Sequence, residues 1–321
     1  VQVTFNTKCV DLDLEAGRAE VEETGTGATG TVDVETVIGA DGAFSRVRGA
    51  LQRGDRFDFR QDYLGHGYRE LTMPPTGAGG FAMEPNALHI WPRRSFMLIA
   101  LPNQDETFTC TLFLPFEGPA SFGSLTSESE ILDFFERTFP DVVPLIPDLA
   151  SQFRENPVGS LVTVRCRAWR DRGRAVLIGD ACHAVVPFYG QGMNAAFEDC
   201  TELASCIAEH GHDRERAFAD YERRRKENTD ALADLALGNF VEMRDRTGSR
   251  AFLVRKKSER VLHRLFPAWY LPLYTMVTFT RIPYAQAVRR ARRQDRMVAR
   301  VGIAVLILLL LLALRLAGFL G

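Results

Sequence analysis

None of the six cysteines forms a C-x-x-C pair. Cys9, Cys110, Cys166, Cys182, Cys200 and Cys206 are scattered, so neither a zinc cage nor a dithiol redox motif is signalled. They read as reduced, structural thiols of a cytosolic compartment. An excess of one charge is missing too: 39 Lys and Arg face 41 Asp and Glu, a net charge of −2. That balance gives no reason to expect a nucleic-acid partner. The chain opens on Val1 without an initiator methionine, a basic leader or a signal core. Val1, Val3 and Phe5 already alternate like a strand inside a fold, so the sequence reads as lacking an N-terminal portion. The rest of the composition is ordinary: 321 residues, 46% hydrophobic and 25% charged, enough for one large or two smaller domains with a sizeable core.

One long apolar run is present. Val301 to Leu314 has no polar residue, and the stretch 301–320 carries one charge, Arg315, near its end. Its length approaches a bilayer span, and Arg315 can snorkel to headgroups. Arg289, Arg290, Arg292, Arg293, Arg296 and Arg300 precede it against a single acid, Asp295. The positive-inside rule puts this flank and the globular body on the cytoplasmic side. A buried core helix is the alternative; five consecutive leucines with no polar face favour a tail anchor. RNA binding by the arginines is the weaker reading beside such a run.

Residues 1–40 read as β-structure: a strand at 1–14, then Ala19–Glu23, then Thr31–Ala40. Gly25-Thr-Gly-Ala-Thr-Gly30 satisfies G-x-G-x-x-G, yet an acidic stretch precedes it and a strand pattern follows. A hairpin loop is expected there rather than a dinucleotide fingerprint. The strand ending in Asp41-Gly42, with a short helix from Ser45, is a better place for a nucleotide, though Asp-Gly is also a common turn. Residues 57–115 alternate, with Phe108, Cys110, Leu112 and Leu114 on one face, as in a sheet that can wall a pocket. A helix is expected at 126–139, capped by Ser127 or Ser129. Helical spacing returns over 213–245, and Pro267, Pro272 and Pro283 break 259–288 into short helices.

Residues 174–209 are the most informative. Ala175-Val-Leu-Ile-Gly reads as a short buried strand with Asp180 at its C-terminal end. A loop through Gly190-Gln-Gly192 leads into a helix from Met193 to Glu209. A carboxylate there can accept hydrogen bonds from sugar or ribityl hydroxyls. The glycines let backbone approach a flat ring, and the helix start offers free N–H groups at the positive end of its dipole. A reduced flavin and a phosphate would both suit that cradle; the spacing alone does not choose. His183 can be a general base but reads better as a loop-shaping residue. Glu198 and Asp199 are adjacent on a helix and point apart, which argues against an acid/base dyad.

Two motifs carry a family resemblance. Gly179-Asp180-Ala-Cys-His183 with Pro187-Phe-Tyr-Gly-Gln-Gly-Met-Asn194 resembles the second flavin motif of class A flavoprotein monooxygenases, the hydroxybenzoate hydroxylase group. Asp41-Gly42 is similar to that group's internal D-G motif. His89-Ile-Trp-Pro-Arg93, Thr109–Phe116, Asn194–Cys200, Asn239–Met243 and Pro272–Phe279 narrow the resemblance to the kynurenine 3-monooxygenase family, over essentially the whole chain.

The resemblance implies an α/β (α+β) chain: a hydroxybenzoate-hydroxylase-like FAD-binding fold lacking its N-terminal Rossmann βαβ unit. The expected parts are a partial FAD-binding domain at 1–56, a β-sheet substrate domain at 57–150, the FAD-binding domain continued at 151–212, a helical region at 213–300 and a transmembrane helix at 301–320. It implies FAD as cofactor, with Asp180 on the ribityl chain and Met193 and Asn194 holding the ring edge through their backbones. Gly190, Gly192, Asp41, Gly42, Arg46 and Val10 belong to the same cofactor set. Pro187 and Phe188 would neighbour the oxygen site without acting as acid or base, and Asn239 and Tyr274 would bind substrate. The implied reaction is NADPH- and O2-dependent 3-hydroxylation of kynurenine through a flavin C4a-hydroperoxide. It implies attachment to a membrane, the mitochondrial outer membrane in a eukaryote, and no metal. A hydroxylase of another aromatic or lipid substrate, and a non-catalytic membrane-anchored fragment, stand as alternatives. The chain alone is expected to bind FAD poorly.

Overall fold

The computed structural model describes residues 1–54, 57–246 and 249–316. The expected boundary at residue 56 and the last residues of the 301–320 span lie outside them. Strands β1 (Thr7–Asp13), β2 (Arg18–Glu23) and β3 (Thr29–Asp33) form an antiparallel sheet in that order. β1 is shorter than the alternation at 1–14 suggests: pairing with β2 begins at Thr7↔Glu23, and residues 1–6 are exposed. The Gly25–Gly30 string supplies the turn between β2 and β3, as its flanks imply, and its last two residues, Thr29 and Gly30, already pair in β3.

β4 (Val37–Gly39) leads to α1 (Arg46–Leu51), whose N-terminus is capped by the Ser45 side chain. β5 (Asp58–Met73), β6 (His89–Pro92), β7 (Met97–Pro102) and β8 (Phe108–Pro115) belong to a five-stranded sheet. α2 (Glu128–Thr138) and α3 (Leu149–Glu155) follow, and β9 (Gly159–Arg167) completes the sheet in the order β6-β7-β8-β5-β9. The division expected at residue 150 therefore cuts this sheet, since β9 pairs with β5 from Asp58↔Arg167. Such pairing is non-local and leaves no mark in either strand's pattern.

Alternation along the strands gives the sheet two working faces. Leu71, Met73, Leu98, Ala100, Phe108, Cys110, Leu112 and Leu114 pack against Ile131, Phe134, Phe135 and Phe153 of α2 and α3. Each fully buried phenylalanine there contributes roughly 1.5–3 kcal/mol. The opposite face, with Met97, Phe113 and Leu161, meets Phe188 and Phe240.

β10 (Arg170–Asp171) and β11 (Ala175–Leu177) join β4 in a small sheet in which β11 and β4 are parallel. The expected loop after β11 holds a single turn, α4 (Asp180–His183), and a 3-10 turn at Pro187–Tyr189. α5 (Gly192–His210) and α6 (Arg214–Val241) pack side by side, and a π turn at Glu242–Arg246 ends that run. α7 (Arg250–Leu265) stops before Pro267, α8 (Leu273–Phe279) starts after Pro272, and α9 (Tyr284–Leu316) starts after Pro283. α9 is one 33-residue helix. Its first turns bury Tyr284, Ala287 and Ala291 against α6 and α8, and residues 301–315 are fully outside the body. By length and composition it can cross a bilayer.

Candidate functional site

The two aspartate-glycine motifs meet through one strand pair. β4 and β11 run parallel with Leu177 opposite Gly39, so Asp41-Gly42 and Gly179-Asp180 leave the same end of the small sheet. That end of a parallel pair is where α/β folds bind nucleotides. The two carboxylates then differ. Asp41 Oδ2 accepts the backbone N–H groups of Arg46 (2.6 Å) and Val47 (3.2 Å), fixing the start of α1. Asp180 is exposed, with no hydrogen-bond partner among the described residues.

α5 supplies the facing wall. α1, α2 and α6 have side-chain caps, but α5 has none, so its first N–H groups remain available. Gly190 sits at φ +65°, where a side chain is strained, and a Cβ on it would meet only open space. Met193 and Phe197 are 70% and 63% exposed beside it. Gly42, Asp180, Pro187, Gly190, Gly192 and Met193 line one cavity of about 640 Å³. A free carboxylate, glycines in the lining, the positive end of a long helix and exposed apolar groups fit a flavin with its ribityl chain. Asn194 lies at the helix start, its side-chain amide donating to Gln191 Oε1 at 3.0 Å.

A second cavity of about 540 Å³ adjoins the first, and Asp180, Val185, Pro187 and Gly190 line both. Its other walls are the free face of the large sheet, through Tyr68, Ile99, Thr111, Phe113 and Leu161, and the turn at Phe188–Tyr189. The size suits a small aromatic molecule. Burial pushes the Tyr189 phenol up to about 12, so it stays protonated and can donate. Tyr274, half exposed, stands 5.9 Å from Tyr189 ring to ring. Asn239 is placed differently from expectation: it does not line this cavity but stands behind it, its amide donating to the Phe188 carbonyl at 2.6 Å. Phe188 is held between Phe113 (4.8 Å) and Phe240 (4.5 Å). Val10 and Arg46 line neither cavity. Val10 lies at a β1 irregularity, and the exposed Arg46 acts on Cys9 and Asp11 beside it.

Sequence reasoning missed the support beneath the site. Asp199 is fully buried on α5 and accepts from His183 Nε2 (2.5 Å), the Gly179 N–H (2.8 Å) and Arg225 Nε (2.7 Å). Arg225, on α6, also donates to Glu198 (2.7 Å) and the Ala195 carbonyl (3.0 Å). The adjacent acids thus reach one guanidinium rather than each other. Burial pushes the Asp199 carboxyl up, but His183, Arg225 and the Gly179 amide outweigh it and leave it below the usual range. His183 shapes the loop, tying α4 to α5. The network fixes the backbone on which Asp180 stands. Arg48, also buried, donates to the Ala181 and Ala43 carbonyls and joins the two motif loops. His183 and the glutamate-aspartate pair were visible as signals, though not their union; nothing marked Arg225 out among its neighbouring arginines.

Comparison with known proteins agrees with this geometry. A family model described as an FAD binding domain matches residues 146–236. A kynurenine 3-monooxygenase of Salinispora tropica is 46% identical over 98% of this chain and 69% of its own length. One from Dictyostelium discoideum is 44% identical, over 89% of this chain and 64% of its own. Across the curated relatives, the chain spans about two thirds of their length. Among solved structures, 2-methyl-3-hydroxypyridine-5-carboxylic acid oxygenase superimposes with a TM-score of 0.58 at 23% identity, covering 77% of this chain and 64% of that one, which shows a shared fold. Identity at this level across nearly the whole chain, with the two motifs assembled around one cleft, places the protein in the kynurenine 3-monooxygenase family of flavin monooxygenases.

Proposed function

We propose that the chain carries the substrate cavity and the ring-side flavin wall of an NADPH- and FAD-dependent hydroxylase acting at position 3 of kynurenine. The observation that carries this is the pair of adjoining cavities sharing Asp180, Val185, Pro187 and Gly190. When bound, the flavin supplies the redox chemistry, taking reducing equivalents from NADPH and activating O2. The protein's own part is positional. Asp180 accepts hydroxyl hydrogens of the ribityl chain, and the free N–H groups of Met193 and Asn194 stabilise negative charge on the ring edge. Pro187 and Phe188 form an apolar wall where the cavities join, which excludes water from the reacting face. Tyr274, with the Tyr189 phenol behind it, is placed to hold the polar end of the substrate. Asn239 serves by fixing Phe188. The size of the second cavity, about 540 Å³, favours a small aromatic over a lipid chain. α9 is read as a membrane anchor, with the arginine flank and the body on the cytoplasmic side.

The test is product analysis. Protein made from the complete reading frame, given FAD, NADPH, O2 and kynurenine, is expected to form 3-hydroxykynurenine. NADPH consumption without that product sinks the substrate assignment. Asp180→Ala is expected to weaken FAD binding by about tenfold to 100-fold, the worth of one charged hydrogen bond. Flavin fluorescence titration reads that change; unaltered affinity removes Asp180 from the site.

A further inference from the structure

We propose that the exposed apolar edge of α7, with the segment that follows it, is a second contact with the bilayer, seated in an anionic headgroup layer beside the α9 span. It rests on the reading of α9 as a membrane anchor. Val254, Val261 and Leu265 fall on one line of α7 at seven- and four-residue spacing, and are 68%, 48% and 64% exposed. Phe266 and Trp269 extend the stripe, at 54% and 41%. Lys257, Arg260 and Arg264 flank it; they are exposed and have no ion pair among the described residues. A stripe of this kind edged by unpaired cations is the pattern of a helix lying in a membrane interface.

Its height on the molecule argues for lipid as the occupant. Gln294 of α9 donates to the Leu271 carbonyl at 2.9 Å, and the neighbouring Tyr270 is buried. Gln294 lies seven residues before Val301, where the apolar run begins. At about 1.5 Å per residue the segment 266–271 stands roughly 10 Å from the hydrocarbon edge. The headgroup layer is about 5–8 Å thick on each side, so this backbone stands just above it and the layer is within reach of a tryptophan side chain, which is favoured there. The positive flank of α9 faces the same layer, so both surfaces would meet the same anionic lipid.

The experiment uses the full chain in phosphatidylcholine vesicles containing phosphatidylserine, with bromine on the upper acyl carbons. Trp91 and Trp169 persist in Trp269→Phe, so the difference in emission between parent and variant isolates Trp269. Brominated lipid is expected to quench that difference measurably, as for a ring seated in the headgroup layer. The quenching is expected to fall in phosphatidylcholine alone, and equally in Lys257→Gln/Arg260→Gln/Arg264→Gln on the anionic vesicles. Quenching by aqueous iodide with no effect of brominated lipid overturns the inference. Shielding from both overturns it as well, and marks the face as covered by a second copy. A chain washed off at alkaline pH overturns the anchor reading, and this inference with it.

Discussion

Asp199 shows how one residue governs a site it does not line. It joins the Gly179 amide, His183 and Arg225 inside a solvent-free core, so removing it leaves a buried guanidinium half paired. Asp199→Ala is expected to lose about 3–5 kcal/mol of stability, read by chemical unfolding. The pH dependence has a definite sign. The folded carboxyl lies below its unfolded value of about 3.9, so its contribution is complete above that pH. It is lost as pH falls through the lower folded value. The gap between parent and Asp199→Asn is expected to shrink as pH falls below about 4; a gap that widens over that acid range would contradict this. Asp180 was legible because its place, after a short apolar strand and before a glycine-spaced helix start, is a local pattern. The support was not, since Asp199 and Arg225 meet only once α5 and α6 have taken their mutual rotation. Asn239 could be named from resemblance, but its amide's partner, a backbone oxygen 51 residues away, has no local sign.

At the scale of elements, the best-read features are those whose cause is local. Ser127 and Glu130 form a reciprocal capping box at α2, and the three prolines stand at helix boundaries. Ser127→Ala is expected to cost about 1 kcal/mol, seen as a lower unfolding midpoint with no change in flavin binding, since α2 packs on the sheet face away from the cavities. Glu130, held down to about 2 by its bonds to Ser127 and Thr126, keeps that cap charged until strongly acid pH. Strand order resisted reading for the opposite reason. β5 is bordered by β8 and β9, neither its neighbour in sequence, and only the folded register shows that one sheet serves both the α2–α3 core and the cavity.

For the whole molecule, the anchor reading makes the apolar half of α9 the part that would decide where the protein resides. Leu308→Arg with Leu310→Arg places two charges mid-span, each disfavoured there by about 2.5–3.5 kcal/mol. The doubly substituted chain is expected in the alkali-soluble fraction, and firm retention in membranes would show that α9 is not the anchor. On that reading, a helix unbroken from Tyr284 to Leu316 would be a mast as well as a root. α8 is packed on its lower turns, and Tyr274 on α8 marks the rim of the smaller chamber. If α9 is the anchor, with no break in the helix between mast and hull, that opening would keep a constant bearing to the lipid plane. A small soluble ligand would then always be met from the same side, whatever the protein's rotation about the membrane normal.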